Sequence, residues 1–428
     1  MSDTASPSVD VSQFQYVRKG FGLKAEVEQT LAADYSGQLV DLLRANGYTL
    51  AAGGMTVRLA KEFGFCYGVE RAVDYAYQTR LKFPDRRIFL AGEIIHNPHV
   101  NAKLREMGVI FLGPTANGFD YSEVRAEDVV ILPAFGVTHH DFETLRALGC
   151  VVVDTTCGSV LNVWKRVEVY ARDGYTSLIH GKYYHEETRA TASQVRKKDP
   201  DGHYLVVRDM DEAELVMDYI EAKAGAPLRP GRSALTRASF LERFADRMSD
   251  GFDPDRHLDR VGVANQTTML ARESLAIGAA VGEAMERAYG ADHKSAHFRT
   301  FDTICSATQD RQDAVLDMLE EPLDLMVVVG GYNSSNTISL AALCAEKVRT
   351  YHIADPDEID VAGNRVRFRE IGAHHHEGEA EGWLPLTGDV RVGITAGAST
   401  PNNKIGEAVA RLFATRGVDP GTLVTGEG

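Results

Sequence analysis

Cysteine is scarce in these 428 residues. The five present are Cys66, Cys150, Cys157, Cys305 and Cys344, and no two form a C-x-x-C pair. An odd, sparse set argues against a disulfide framework, and the missing C-x-x-C disfavours a zinc knuckle or a thioredoxin-type site. Long apolar runs are missing too: residues 325–330 form one of the longest, far short of the roughly 20 residues of a membrane helix. The N-terminus lacks the basic start and apolar core of a signal peptide. Asp3, Asp10, Glu26 and Glu28 fit no transit peptide either, so a cytoplasmic protein is expected. Positive charge is in deficit, with 46 Lys and Arg against 61 Asp and Glu, a net charge of −15. Without a Lys/Arg-rich stripe, neither nucleic acid nor a membrane is expected as a partner. Gly181-Lys182 is followed by Tyr183 rather than Ser or Thr, so it is no P-loop. His374-His375-His376 reads as part of a solvated Gly/Glu-rich loop before Trp383 rather than as a metal site.

What is present is an ordinary globular composition, 44% hydrophobic and rich in glycine and charge, and a length that suggests roughly three domains. Strand-like runs at 87–90, 129–132, 151–153, 205–207, 325–329 and 391–394 alternate with helix-like runs such as 69–81, 160–171 and 311–319. Alternation of this kind implies parallel sheets covered by helices. The expected divisions are an extension over 1–55, with one amphipathic helix around 38–46, and α/β domains over 56–150, 151–298 and 299–400. A C-terminal helix and tail follow over 401–428. Residues 192–260, rich in charge, Pro and Gly, read as an insertion in the middle domain rather than as core.

A weak internal repeat carries the functional information. Three segments set a cysteine between an apolar stretch and a helix: Phe63-Gly-Phe-Cys66, Asp154-Thr-Thr-Cys157 and Asp302-Thr-Ile-Cys305. After each, a second strand ends in a polar cluster: Glu93-Ile-Ile-His96-Asn97, His185-Glu186-Glu187-Thr188, and Asn333-Ser334-Ser335-Asn336. A third strand then ends in 134–138, in Asn265-Gln266-Thr267-Thr268, or in Thr395-Ala396-Gly397-Ala398-Ser399. Loops at the carboxyl ends of parallel strands are where α/β proteins bind ligands. Three such units that point these loops inward would share one site.

The residue types suggest its chemistry. A cysteine at a helix N-terminus ionises more readily, and three converging thiolates suit a cubane iron–sulfur cluster with one iron left open. A three-cysteine zinc site is possible on ligand type, but zinc has no redox chemistry. Cys150 and Cys344 sit in apolar surroundings and read as buried core residues. Ser and Asn at helix starts, as in 333–336 and at Ser399, suit a phosphorylated ligand, although N-capping alone explains any one of them. His185 with Glu187 and Thr267 offers general acid chemistry near a leaving hydroxyl, and His96 suits an anion.

In this order, these motifs resemble the 4-hydroxy-3-methylbut-2-enyl diphosphate reductases, the IspH or LytB family, over almost the whole chain. Arg18-Lys19-Gly20-Phe21-Gly22, residues 132–136 and the run 179–188 look like its longer plant and cyanobacterial branch. The resemblance implies three similar α/β domains with parallel sheets, in a pseudo-threefold trefoil around a central 4Fe-4S cluster. Cys66, Cys157 and Cys305 would hold the cluster, with the fourth iron open to substrate. Glu187 would relay protons with help from Thr267, and His96, His185, Ser334, Ser335, Asn336 and Ser399 would grip the diphosphate. A ferredoxin or flavodoxin would supply electrons. The alternatives are an iron–sulfur hydro-lyase and an iron–sulfur redox sensor. One departure from the family pattern is Phe135, where short bacterial members have a second diphosphate-binding histidine; His139 or His140 could substitute for it. Another is Gly158-Ser159, where the long branch has Pro-Trp.

Overall fold

A computed structural model describes residues 14–116, 118–301, 303–372 and 376–425. Its strands are dominated by fully buried runs such as Val129–Leu132 and Leu325–Val329. Apolar residues at every position, rather than alternation, are what a parallel sheet covered on both faces requires.

Three sheets share one parallel four-strand pattern. The first runs, from one edge, Val109–Leu112, Ile88–Ala91, Val129–Leu132, Val151–Asp154. The second runs Tyr204–Val207, Thr176–His180, Val261–Asn265, Phe298–Thr300. The third runs Thr350–Ile353, Leu325–Val329, Val390–Ala396, Met55–Leu59. In each block the fourth strand leads directly into a cysteine loop: Cys157, Cys305 and Cys66 in turn. The helix that starts at that cysteine then begins the next unit, so each of these three cysteines lies at a junction between two units.

This strand order differs from the expected divisions. Val151–Asp154 belongs to the first sheet, not to the middle unit, and Phe298–Thr300 falls wholly within the second sheet. Thr49–Ala52 and Met55–Leu59 belong to the third sheet, where Met55–Leu59 pairs with Val390–Ala396. Helices Gln38–Ala45 and Asn402–Thr415 pack on the same core through Leu39, Val40 and Leu43, and through Ile405, Val409 and Phe413. Segments 38–59 and 390–415, far apart in the chain, therefore build the third unit together, which is permuted relative to the other two. The physical cause is register: a strand finds its sheet through a partner's hydrogen-bonding edge, wherever that partner lies in the chain.

The segment 192–260 is only partly an addition. Strand Tyr204–Val207 and helix Met210–Lys223 belong to the second unit, with Leu205, Val207, Val216 and Ile220 in its core. Residues beyond that helix attach to it by Phe240 and Phe244 and by ion pairs from Arg229 and Arg232 to buried Asp218. The extension also folds back. Strand Gln15–Val17 adds to the first sheet beside Val151–Asp154, and the Tyr16 hydroxyl donates to Asp154 Oδ2, three residues before Cys157. His374 and His375 lie outside the described residues. His376 is exposed and 3.1 Å from Glu370. Among the described residues no helix is long and apolar enough to cross a membrane.

Candidate iron–sulfur and diphosphate site

Cys66, Cys157 and Cys305 are each the N-cap residue of a helix: Tyr67–Lys82, Gly158–Arg172 and Ser306–Met318. The loops are held by backbone bonds from neighbouring units. The Cys66 N–H donates to Ala398 O at 3.3 Å, and the Cys157 N–H donates to Ala134 O at 2.8 Å. All three cysteines line one cavity, together with His96, His185, Glu187, Thr267, Ser334, Ser335, Asn336 and Ser399. Cys150 and Cys344 are fully buried in two separate apolar clusters.

The sulfurs are crowded. A Cβ added to Gly68 would lie 2.6 Å from Cys157 Sγ and 3.9 Å from Cys66 Sγ, so thiols from two loops flank the first turn of one helix. Burial pushes the Cys66 thiol up, and it pushes the Cys305 thiol up to about 11 against the opposing hydrogen bonds from Thr308. The helix ends were expected to favour thiolate; at Cys66 and Cys305 desolvation outweighs them. A coordinated metal reverses that balance, because it deprotonates a bound thiol outright. An all-sulfur donor set in a buried pocket fits an iron–sulfur cluster.

The polar half of the cavity is arranged around His96 and His185. The Glu187 N–H donates to His185 Nδ1 at 3.1 Å, so the neutral ring carries its proton on Nε2. Burial holds the His185 pKa well below the usual range, with the charges of His96 and Lys182 acting in the same direction. The His96 ring stacks on Phe135 with centroids 4.7 Å apart, and its Nδ1 lies 2.9 Å from Glu93 Oε2. His96, His185 and Glu186 bring donor atoms within 4.8 Å of one another. A cation is poorly served there, because the free nitrogen of His185 bears hydrogen and is a donor. Such a donor suits an anion.

Three side-chain atoms of this cavity are buried without a hydrogen-bond partner: His96 Nε2, Ser335 Oγ and Asn336 Nδ2. Buried polar groups are nearly always satisfied, so a cluster of orphans marks a place where a polar ligand completes them. The neighbouring groups are fixed. Asn336 Oδ1 accepts from the Ala398 N–H at 2.9 Å, and Ser399 Oγ donates to His96 O at 3.2 Å. The Thr267 N–H donates to Glu187 Oε1 at 2.6 Å. Burial raises the fully enclosed Glu187 carboxyl to about 7, against the hydrogen bonds from Thr267. It can therefore hold or give up a proton near neutrality.

Phe135 lines the cavity, but neither His139 nor His140 does. Both belong to the first turn of helix His139–Leu148, where Thr138 and Asp141 form a capping box that fixes its start outside the cavity. In this structure neither histidine takes the place of the missing one. Two residues were not singled out from the sequence. Thr308 caps against Cys305, its Oγ1 2.9 Å from Sγ. Arg311 is only 4% exposed. Their signal was a polar residue at i+3 and a charged one at i+6 on the inward face of a helix with Ala314 and Val315.

Known proteins resemble the chain over most of its length. A family model described as LytB protein matches residues 57–413. The 4-hydroxy-3-methylbut-2-enyl diphosphate reductase of Thermosynechococcus vestitus is 48% identical over 409 residues, covering 95% of this chain and 96% of that protein. The protein of the same description from Gloeobacter violaceus is 48% identical over 408 residues, covering 94% and 93%. In fold, the chain resembles a solved structure from Plasmodium falciparum described as E-1-hydroxy-2-methyl-but-2-enyl-4-diphosphate reductase. The TM-score is 0.57 at 20% identity, over 83% of this chain and 87% of that one. The chain belongs to the LytB family.

Proposed function

We propose that this chain reductively removes the hydroxyl group of (E)-4-hydroxy-3-methylbut-2-enyl diphosphate. The products are isopentenyl diphosphate and dimethylallyl diphosphate, at the end of the non-mevalonate route to isoprenoids. The C–O bond breaks, two electrons and two protons enter, and water leaves. The observation that carries this reading is the single cavity in which three thiols meet the orphaned His96 Nε2, Ser335 Oγ and Asn336 Nδ2. Family membership implies an iron–sulfur cluster. Its residues here are Cys66, Cys157 and Cys305, which suit a 4Fe-4S cluster with one iron free of cysteine. Such a cluster supplies the electrons and, at that iron, a Lewis acid for the substrate hydroxyl.

The protein's own groups do the rest. His185 donates from Nε2, and Ser334, Ser335, Asn336 and Ser399 surround the diphosphate with hydroxyl and amide donors. His96 is aligned for the same anion by Glu93 and by the face of Phe135. Glu187 delivers a proton toward the leaving oxygen, with its carboxyl held in place by Thr267. A ferredoxin or flavodoxin in the cytoplasm is the proposed electron source.

The test is anaerobic oxidation of a reduced viologen dye, with and without substrate, by protein of measured iron and sulfide content. Substrate-dependent oxidation that yields both five-carbon diphosphates supports the reading. Turnover without an electron donor would replace it with the hydro-lyase, and no turnover by cluster-loaded protein with the sensor.

A further inference from the structure

Arg311 lies in helix Ser306–Met318, six residues after Cys305, and is 4% exposed. Its guanidinium joins the Cys66 loop to the first turn of its own helix. Nε and Nη2 donate to Gly64 O at 3.2 and 2.8 Å, and Nη1 donates to Ala307 O at 2.8 Å. Gly64 stands two residues before Cys66, and Ala307 two after Cys305. Gly64 has a φ of +67°, which few other residues adopt, and its N–H donates to Ala396 O at 3.3 Å. The carbonyl that Arg311 grips is thus fixed by the backbone.

Among the described residues Arg311 has no carboxylate partner. A guanidinium keeps its charge when buried, and an unpaired buried charge is expensive. Neutral carbonyls satisfy its donors without compensating its charge. Its charge acts on Cys66, and Cys305 caps the helix that carries it.

We propose that Arg311 is the built-in counter-charge of the three-cysteine site: it ties the Cys66 loop to the Cys305 helix and raises the reduction potential of the cluster held there. This rests on the cluster reading above. Cluster potentials respond to nearby charge and hydrogen bonding. A fixed cation favours the reduced, more negative state, so its removal should make the cluster harder to reduce. Arg311 acts through the sulfur ligands and is a positioning residue, with no direct contact to substrate required.

The experiment compares wild type, Arg311→Gln and Arg311→Lys, each reconstituted anaerobically. Iron and sulfide are assayed, and the midpoint potential is followed by electron paramagnetic resonance. Gln keeps a hydrogen-bond donor but no charge, whereas Lys keeps the charge without the planar fork. Arg311→Gln is expected to shift the one-electron equilibrium at least tenfold, a fall of 59 mV or more. Arg311→Lys is expected to stay within that margin. If Gln cannot retain iron while Lys does, the charge is again what matters. A fully loaded Gln variant at the wild-type potential overturns the proposal, as does an equal fall in both variants. Equal iron loss in both assigns Arg311 to hydrogen bonding alone and overturns the charge role. A wild-type chain that takes up neither iron nor sulfide overturns both this proposal and the cluster reading.

Discussion

Two glycines beside the cysteines should respond in opposite ways to the same substitution. Gly158 is the first residue of helix Gly158–Arg172, and a Cβ there would meet nothing within 4 Å. Alanine should stabilise that turn by about 0.5–1 kcal/mol, since glycine loses more backbone freedom on folding. Gly68 is the second residue of helix Tyr67–Lys82, and its Cβ would lie 2.6 Å from Cys157 Sγ. Ordinary contacts begin near 3.5 Å, so roughly 1 Å of overlap must be relieved. Either the helix start moves or Cys157 rotates its sulfur out of the cavity. Overpacking of this kind costs about 1–3 kcal/mol, and the second escape also removes a sulfur from the site. Gly68→Ala should therefore lose most of its reconstituted iron and melt below wild type. Gly158→Ala should keep its iron and melt at or above wild type. The assays are iron and sulfide per chain and a thermal melt of the apo protein. Full iron and an unchanged melt in Gly68→Ala would refute the claim that the Cys66 and Cys157 loops are packed sulfur against helix.

Other substitutions separate the remaining roles. Glu187→Gln should keep iron and substrate binding while turnover falls by about 10²–10⁴, the usual worth of a positioned acid. Because burial sets that carboxyl near 7, its acid form is lost as pH rises. Wild-type turnover should decline through about pH 7, and a variant that keeps this limb would clear Glu187 of the role. Tyr16→Phe removes a hydrogen bond to buried Asp154, worth about 1.5–3 kcal/mol when the acceptor is charged. A urea midpoint equal to wild type would show that the extension does not brace the Cys157 loop. His139→Ala combined with His140→Ala should leave KM unchanged, because neither ring reaches the cavity; a tenfold rise would place one of them in the site.

The sequence made the buried strands and the repeat legible, but not the way the units close. Val129–Leu132 and Leu325–Val329 stand where their unbroken apolar runs implied. Met55–Leu59 alternates its burial and was placed at the start of the first domain rather than in the third unit, because its partner, Val390–Ala396, lies at the other end of the chain. Phe298–Thr300 is three residues long and only half-buried, too little for a pattern to register. The motifs that converge on the cavity were each readable as a cysteine, polar cluster or small-residue turn. Their meeting was expected from the order of the units, but the sheet that each cysteine strand joins was not, since that depends on long-range pairing. Arg311 was passed over because, between Asp310 and Asp313, it reads as part of a solvent-facing charged stretch. Its spacing from Thr308 and Val315 places it inward.

The chain's net charge of −15 is at odds with an anionic substrate only if binding is a matter of surface field. At physiological salt, charges separated by more than about 8 Å are largely screened, so the acidic exterior acts weakly on a ligand already inside. In the cavity the balance is local. Glu93 and Glu186 approach His96, while Lys182 and Arg369, from two different units, have no carboxylate partner among the described residues. Burial lowers Lys182 to about 8, with Arg369 adding to the effect, and at that value the ammonium is still mostly charged at neutral pH. Its charge acts on His185, the ring whose Nε2–H faces the site. Desolvated hydroxyl, amide and imidazole donors line the cavity and attract a diphosphate through short, directed contacts, with the charge of Lys182 acting through His185. The acidic surface then costs the enzyme little once the substrate has entered.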